Sequence, residues 1–459
     1  MSDLPFKKVL IANRGEIAVR VIRSCRELGI PTVAVHSTAD ESSLHVKIAD
    51  ESVCIGPPKS MQSYLNVPAI LSAAHITQAD AIHPGYGFLS ENAEFAKMCA
   101  QFNIQFIGPN VDCIEKMGSK IGSKIIAKKA GVPTLEPIPI KDTTDQEITR
   151  QVLALGFPVL IKASAGGGGR GMQRIDHERD LIPSIKRLQR EAELAFKDNT
   201  LFIEKYITRP RHIEVQVLGD QHGHIVHLGE RDCTIQRRYQ KIIEESPSPV
   251  LSNSKREEIC QAALKLAKAV EYDSVGTVEF LYDLDTQNYY FMEMNTRIQV
   301  EHPVTEHRVD IDLIMEQILV AAGSKLRFQQ EDIVFRNHVI ECRINAEDPL
   351  TSMPSPGFVT HYHRPGGLGI RVDDFIYTGY SVPPHYDSLV SKIIVYARNR
   401  DECIRRMLRA LNDLILAGIS TNIDLHKKIL THPSFVQNDY ATDFLANVIY
   451  PELRSEIKK

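Results

Sequence analysis

The sequence has 459 residues, 43% hydrophobic and 24% charged, with 54 Lys plus Arg against 58 Asp plus Glu and a formal net charge of −4. That length exceeds one ordinary core and predicts two to four folding units, and the slightly acidic balance argues against a sequence-independent nucleic-acid binder. The eight cysteines are scattered, with no C-x-x-C pair, and no apolar run approaches membrane-spanning length. The expectation is therefore a cytoplasmic protein with reduced thiols, engaging neither nucleic acid nor membrane.

In chain order, residues 7–13 read as a short apolar strand that breaks at Arg14 and Gly15. The helix after it places Ile17, Val21, Cys25 and Leu28 on one face, Gly29 ends it, and residues 31–37 form the next strand. Strand, helix and strand at this spacing predict a βαβ unit on a parallel sheet, continued by strands 79–83 and 104–108. No G-x-G-x-x-G follows the first strand, which weakens a nicotinamide reading. The Gly/Pro-rich loop 83–92 sits at a strand end, where open α/β sheets bind ligands; taken alone it is equally well a plain turn.

A Lys-rich helical connector over 108–130 leads to strand 157–164, followed by Gly166, Gly167, Gly168, Gly169 and Gly171. These satisfy G-x-G-x-x-G formally, but that fingerprint must open a helix and so many glycines oppose one. With 172–175 as a returning strand, the run reads as a hairpin loop whose bare N–H groups close over phosphates; a simple linker is the alternative. Lys162, just before it, adds a compact charge for phosphate oxygens. Strand 200–207 carries Glu204 and Lys205, either a hinge that meets an adenine amino group or an ordinary exposed ion pair. Strands 212–218 and 224–230 alternate in the antiparallel manner. The polar run that follows, up to Lys241, is by default a solvated strand edge, although Arg237, Arg238 and Lys241 also suit an anionic ligand. Helix 254–270 turns Ile259, Ala263, Leu266 and Val270 inward, strand 341–345 sets Arg343 beside an acid, and strand 388–397 precedes helix 401–416, with Cys403, Met407, Leu411 and Leu414 inward and Gly418 as its stop.

Chemistry concentrates in residues 275–303. Runs 275–282 and 289–295 bracket a short polar loop and predict an antiparallel hairpin. Pairing Tyr282 with Tyr289 brings Glu279 nearly opposite Glu293, and Glu293 shares a face with Asn295. Like charges opposite one another destabilise a hairpin unless neutralised, which a hard divalent cation with oxygen ligands would do. A solvated hairpin face is the plainer reading, but Arg297 and Glu301 follow at once and favour a phosphate–metal site.

Residues 12–18, 83–92, 117–120, the glycine run, 230–241, 293–303 and 341–349 together resemble the biotin carboxylases, an ATP-grasp family, from residue 7 to about 445. The resemblance implies an α/β ATP-grasp fold: an N-terminal parallel βαβ (pre-ATP-grasp) domain at 1–107, a helical connector at 108–134, a mobile lid domain with the glycine loop at 135–204, and a C-terminal mixed α/β domain at 205–459. It implies ATP binding by Lys120, Lys162, Gly166, Gly167, Gly168, Gly169, Glu204, Lys205, His212, Gln236, Tyr239 and Leu281. Mg²⁺ or Mn²⁺ would be held by Glu279 and Glu293, with Asn295 close by. Lys241, Arg297, Gln299 and Val300 match a bicarbonate pocket, Glu301 a catalytic base, Arg343 the cation facing biotin's ureido oxygen, and Tyr86 a wall of the biotin site. Two positions depart from the family pattern: Tyr239 stands where a His is common, and Ala165 replaces a frequent Gly.

The implied activity is ATP-dependent carboxylation of biotin by bicarbonate through carboxyphosphate. No Ala-Met-Lys-Met attachment sequence is present, so the biotin is expected on a separate biotin carboxyl carrier protein, with carboxyltransferase subunits as further partners and a homodimer as the assembly. Acetyl-CoA carboxylase, hence malonyl-CoA formation and fatty-acid synthesis, is the first expectation; a two-subunit pyruvate carboxylase is the second. Two rivals of other classes are an ATP-grasp ligase for a different carboxylate and a non-catalytic nucleotide-binding protein.

Overall fold

Short apolar runs alternating with amphipathic helices do build a parallel sheet at the N-terminus. Its strands are β1 (Val9–Ile11), β2 (Thr32–Ser37), β3 (Glu51–Gly56), β4 (Ala81–His83) and β5 (Gln105–Phe106), in the order β3-β2-β1-β4-β5, each pair parallel. Val9 and Ile11 pack against Ile17, Val21 and Cys25 of helix α1 (Gly15–Glu27), while Leu10 and Ala12 face the opposite layer with Val33 and Val35. Burial on both faces is what a parallel sheet requires. Strand order reverses between β1 and β4, and there the Asn13 side chain donates to the carbonyls of Pro84 (2.7 Å) and Tyr86 (2.8 Å). Gly85, at φ +62°, leaves room for that amide, which a Cβ would meet at 2.8 Å. The 83–92 loop is thereby fixed at the switch point of the sheet, where ligands bind.

The structure, a computed structural model, describes residues 6–140, 143–164 and 171–457. Ala165, Gly166, Gly167, Gly168 and Gly169 lie outside the described residues. The expected single connector is two helices, Val111–Gly118 and α2 (Lys120–Lys129), divided at Ser119, whose hydroxyl accepts from the Gly122 N–H. Beyond it, β6 (Ile138–Pro139), β7 (Val159–Ala163), β8 (Met172–Ile175) and β9 (Leu201–Lys205) form an antiparallel sheet in the order β6-β9-β7-β8. Val159, Ile161 and Ala163 bury against helix α3 (Glu178–Phe196), so Lys162 and Glu204 share the other face.

An eight-stranded antiparallel sheet follows: β10 (Pro210–Gly219), β11 (Ile225–Arg237), β12 (Gln240–Ser246), β13 (Val275–Asp283), β14 (Tyr289–Asn295), β15 (His338–Asn345), β16 (Ile370–Asp374) and β17 (Leu389–Ala397), in the order β14-β13-β10-β11-β12-β15-β17-β16. Helix α4 (Asn253–Ala269), capped by Ser252, buries Ile259, Ala263 and Leu266 against one face. Helices α5 (His302–Val309) and α6 (Arg400–Asp413) pack on the portion around β15.

Two expectations need correction. The polar run after Glu230 is not a solvated edge, because β11 continues through it to Arg237, with Arg231 and Asp232 buried between layers. The helix expected over 401–416 ends at Asp413, since Ile415–Ala417 leaves it to pair with His361–His363.

Candidate active site

Strand register fixes the centre of the site. Arg231 (β11), Glu214 (β10), Glu279 (β13) and Glu293 (β14) are successive partners, so four strands carry one row of charge. Tyr282 pairs with Tyr289, and an extra residue on β14, Met292, brings Glu279 directly opposite Glu293. Three neighbouring carboxylates repel one another, and basic side chains answer them. Arg231 donates to Glu214 (2.6 Å); the Lys241 ammonium donates to Glu279 (2.9 Å), to Glu301 (2.8 Å) and to Glu214; His212 Nε2 lies 3.0 Å from Glu279. Burial pushes the Glu279 carboxyl up, but Lys241 and His212 hold it well below the usual range. Glu293 is instead pushed up, by burial and then by Glu279 itself. Asn295 and Gln299 complete the cluster by donating to Glu279 at 2.8 and 2.9 Å.

Glu301 stands just before the first turn of α5 and joins this row to the next strand. It accepts from Lys241 and, at 2.9 Å, from Arg343 Nη2, while Arg343 Nε donates to Glu244 (2.6 Å). Against the upward push of burial, Lys241, Arg343 and Arg231 keep Glu301 well below the ordinary carboxylate range, so it is ionised at neutral pH. Glu244, buried and close to Glu301, is pushed up to about 7 despite Arg343. Arg297 is oriented by Glu91 (2.9 Å) and by the side-chain Oδ1 of Asn295 (2.9 Å).

Two cavities meet here. One, of about 420 Å³, is lined by Lys120, Lys162, His212, Gln236, Tyr239, Lys241, Glu279, Glu293, Asn295, Arg297, Gln299, Val300, Glu301 and Arg343. Its far end gathers lysines: burial and repulsion from Lys162 and Lys120 bring Lys124 down to about 7, and burial with Lys120 brings Lys162 to about 8. Glu204, fully buried behind them, accepts from Lys162 (2.7 Å) and from Lys124. With six lysines and arginines, Lys124 among them, against three carboxylates on its wall, this chamber suits a polyanion. The second cavity, of about 510 Å³, lies at the switch point of the parallel sheet, is lined by Glu16, Tyr86 and Phe88 among others, and shares Gln240, Arg297, Val300 and Arg343 with the first.

Among the described residues, most of those expected thus converge, but two do not. Lys205 turns its ammonium to the Gly156 (2.8 Å) and Phe157 carbonyls, and Leu281, paired with His212, lines neither cavity. The Glu204–Lys205 pair is not an exposed ion pair either, because each residue has a different partner. Cys233 is buried beside Glu214, and burial pushes its thiol well up, which leaves it protonated. Sequence reasoning missed Lys124, Glu214, Glu244 and Glu91. Lys124 follows Lys120 by one helical turn and Glu214 follows His212 by one strand period, so both shared a face with a predicted residue; Glu244 and Glu91 gave no comparable signal.

Comparison with known proteins agrees with this geometry. Three family models span the chain: biotin carboxylase, N-terminal domain, at residues 5–114; carbamoyl-phosphate synthase L chain, ATP binding domain, at 119–329; and biotin carboxylase C-terminal domain at 341–447. Biotin carboxylase 1 of Bacillus subtilis is 55% identical over 440 residues, covering 96% of this chain and 98% of the relative. A pyruvate carboxylase subunit of Methanothermobacter thermautotrophicus is 49% identical over 458 residues, covering 99% and 93%. The biotin carboxylase domain of Hydrogenobacter thermophilus 2-oxoglutarate carboxylase, a dimer solved with magnesium ADP, ADP and bicarbonate, superimposes with a TM-score of 0.91 at 48% identity, covering 96% and 97%. A cationic chamber joined to a second cavity, on an ATP-grasp framework that these models and relatives match over most of its length, assigns the chain to the biotin carboxylase family of ATP-dependent enzymes.

Proposed function

We propose that this enzyme uses ATP to activate bicarbonate as carboxyphosphate and carboxylates the biotin of a separate biotin carboxyl carrier protein. The observation that carries the reading is the wall of Arg297, Val300 and Arg343 common to both cavities. A carboxyl group activated on one side of it is within reach of a ureido ring on the other. In this reading Lys120, Lys162, Glu204, His212, Gln236 and Tyr239 bind the nucleotide, and the side chains of Lys205 and Leu281 take no part. Lys124 joins the phosphate-binding lysines.

Glu279 and Glu293 fit a hard cation: they are paired oxygen donors, and the upward push on Glu293 by Glu279 is a repulsion such an ion relieves. They would hold Mg²⁺ or Mn²⁺ beside Asn295, where the bound ion supplies positive charge to the transferring phosphoryl group. Arg297, held in plane by Glu91 and Asn295, grips planar bicarbonate through its fork, with Gln299, Lys241 and the Val300 backbone. Glu301 takes the bicarbonate proton as the bicarbonate oxygen receives the γ-phosphoryl group and ADP leaves; the carboxyphosphate then splits into phosphate and CO₂, which biotin N1 captures. Arg343 stabilises the enolate-like ureido oxygen that forms when biotin loses its N1 proton to the released phosphate, an oxyanion-hole role, and Tyr86 walls the biotin.

The carrier and the carboxyltransferase are separate partners in this reading, the enzyme is a cytoplasmic homodimer, and its domains divide at 107, 134 and 204. Acetyl-CoA carboxylase is the assembly we favour. A pyruvate carboxylase is the second reading, supported by the Methanothermobacter protein, which aligns with 99% of the chain. The test supplies Mg-ATP, labelled bicarbonate and free biotin separately and together. Label in carboxybiotin, with ADP formation rising when biotin joins bicarbonate, is expected; ATP cleavage without labelled biotin would refute the reading.

A further inference from the structure

Lys392, in the middle of β17, is fully buried, and it is the register partner of Arg343 on β15. Its ammonium donates to the Val300 carbonyl (2.6 Å) and lies 3.2 Å from Glu16 Oε1, in the first turn of α1. The same Glu16 oxygen accepts from the Tyr86 hydroxyl at 2.5 Å. Glu16 Oε2 is buried without a hydrogen-bond partner, and Glu16 lines the second cavity beside Tyr86, Val300 and Arg343. Three separate parts of the chain therefore meet on one charged pair: the N-terminal sheet with its 83–92 loop, the segment from Arg297 to Glu301, and the strand next to Arg343.

A buried ion pair is a weak source of stability, because desolvation offsets most of the Coulomb attraction. What this pair does supply is placement. A peptide group is planar, so fixing the Val300 carbonyl fixes the orientation of the following amide, which leads into Glu301. Glu16 carries that reference across the cavity to Tyr86.

We propose that Lys392 and Glu16 are a positioning pair that aligns the Arg297–Glu301 segment with the Tyr86 wall, giving bicarbonate activation and biotin carboxylation one common geometric reference. Neither residue touches the reacting atoms. The proposal rests on the function proposed above. Displacements of about 1 Å at a reacting centre cost roughly 100-fold in rate, so a loosened 297–301 segment has a measurable signature.

The test uses the whole enzyme. Lys392→Met alone leaves the Glu16 carboxylate buried without its cation, so the decisive variant is Lys392→Met with Glu16→Gln, which is neutral at both positions. Its thermal unfolding should match the parent's. Its bicarbonate KM should rise roughly tenfold and its biotin-dependent kcat fall roughly 10- to 100-fold, while its ATP KM stays within about twofold. Lys392→Arg, which keeps a donor for the Val300 carbonyl, should recover part of the loss. Parent-like bicarbonate and biotin constants in the double variant, or an equal loss in the ATP KM, would overturn the proposal. If the double variant does not fold, Glu16→Gln decides, since it removes the charge that links Lys392 to the Tyr86 side of the cavity and leaves the Lys392 bond to the Val300 carbonyl in place. A biotin KM raised severalfold at unchanged bicarbonate KM supports the proposal, and unchanged biotin kinetics refute it. Should the parent itself cleave ATP with bicarbonate yet never label biotin, the proposed function falls and takes this inference with it; a parent that labels biotin confines any failure to the Lys392–Glu16 pair.

Discussion

Replacing Glu301 by Gln separates the proposed base from the groups that bind. The substitution keeps the shape of the side chain and one acceptor oxygen, but its new N–H₂ faces either Lys241 or Arg343, which now contact the carboxylate at 2.8 and 2.9 Å. Neither cation is left unpaired: Lys241 retains Glu214 and Glu279, and Arg343 retains Glu244. The loss of stability should therefore fall well short of the about 3–5 kcal/mol that follows when a buried pair is broken outright. Losing a general base should lower biotin-dependent turnover roughly 10²- to 10⁴-fold, about 3–5 kcal/mol on the barrier at ~1.4 kcal/mol per factor of ten. ATP affinity should barely change, because Lys162, Lys124 and Glu204 lie at the far end of the chamber. Arg343→Ala is the companion: it should abolish most biotin carboxylation while sparing part of the bicarbonate-dependent ATP cleavage, since its charge serves the second step. The assay follows labelled carboxybiotin, ADP release and nucleotide binding in both variants. Glu301→Gln turning over within tenfold of the parent would refute the base assignment and leave Glu301 as a structural partner of Lys241 and Arg343.

Glu279→Gln and Glu293→Gln should each raise the Mg²⁺ concentration needed for half-maximal ATP cleavage by about tenfold or more with the fold intact; full turnover at limiting Mg²⁺ in either variant would contradict a metal site on the hairpin. Because Lys124 and Lys162 sit near 7 and 8, nucleotide phosphates should draw protons onto them. ATP affinity should weaken from pH 7 to 9, and calorimetry at pH 8 in two buffers of different ionisation enthalpy should register proton uptake, with net release the contrary result. In Lys241→Met, Glu279 and Glu301 lose the cation that depresses them. A depressed carboxyl stabilises the fold above its unfolded value near 4.3 and loses that contribution as pH falls from there through its depressed folded value, so the stability gap to the parent should be full at neutral pH and narrow once the pH falls below about 4; a gap independent of pH in urea titrations would count against the contacts described.

What the sequence made legible was local. The hairpin register from Tyr282 and Tyr289 to Glu279 and Glu293 could be argued from strand alternation, because the polar loop fixes it and only the bulge at Met292 had to be found in three dimensions. The parallel N-terminal unit was equally readable, since its strands and α1 each bury faces with their own period. The run from Glu230 to Lys241 misled because polarity was equated with exposure. Arg231 is fully buried, yet it is satisfied by Glu214, Gln216, Thr277, Gln299 and Thr305, none of them its neighbours in sequence. Lys392 hid for the same reason. Within an apolar strand it resembles a solvent-facing lysine, and its partners Glu16 and Val300 come from distant segments. Helical and strand periods announce faces; which faces meet is decided by packing.

The charges around Glu301 impose an order on the proposed reaction. Lys241 and Arg343 keep this carboxylate ionised, and by the same attraction they make it a weak base. A proton moves to it readily only when that attraction is shared. Lys241 already divides its three N–H bonds among Glu214, Glu279 and Glu301, and an incoming anion on Lys241 competes with each of them. Bicarbonate bound as proposed would therefore weaken the hold on Glu301 and raise its basicity at the moment a proton is to be taken. In the proposed reaction Arg343 would change hands in the same way, from Glu244 and Glu301 toward the ureido oxygen, so negative charge arriving from the biotin side would further free the base. Substrate anions thus replace acids that the fold already keeps on those cations, and the chamber avoids both a bare buried cation and an unpaired buried carboxylate, each of which is costly in a low-dielectric interior.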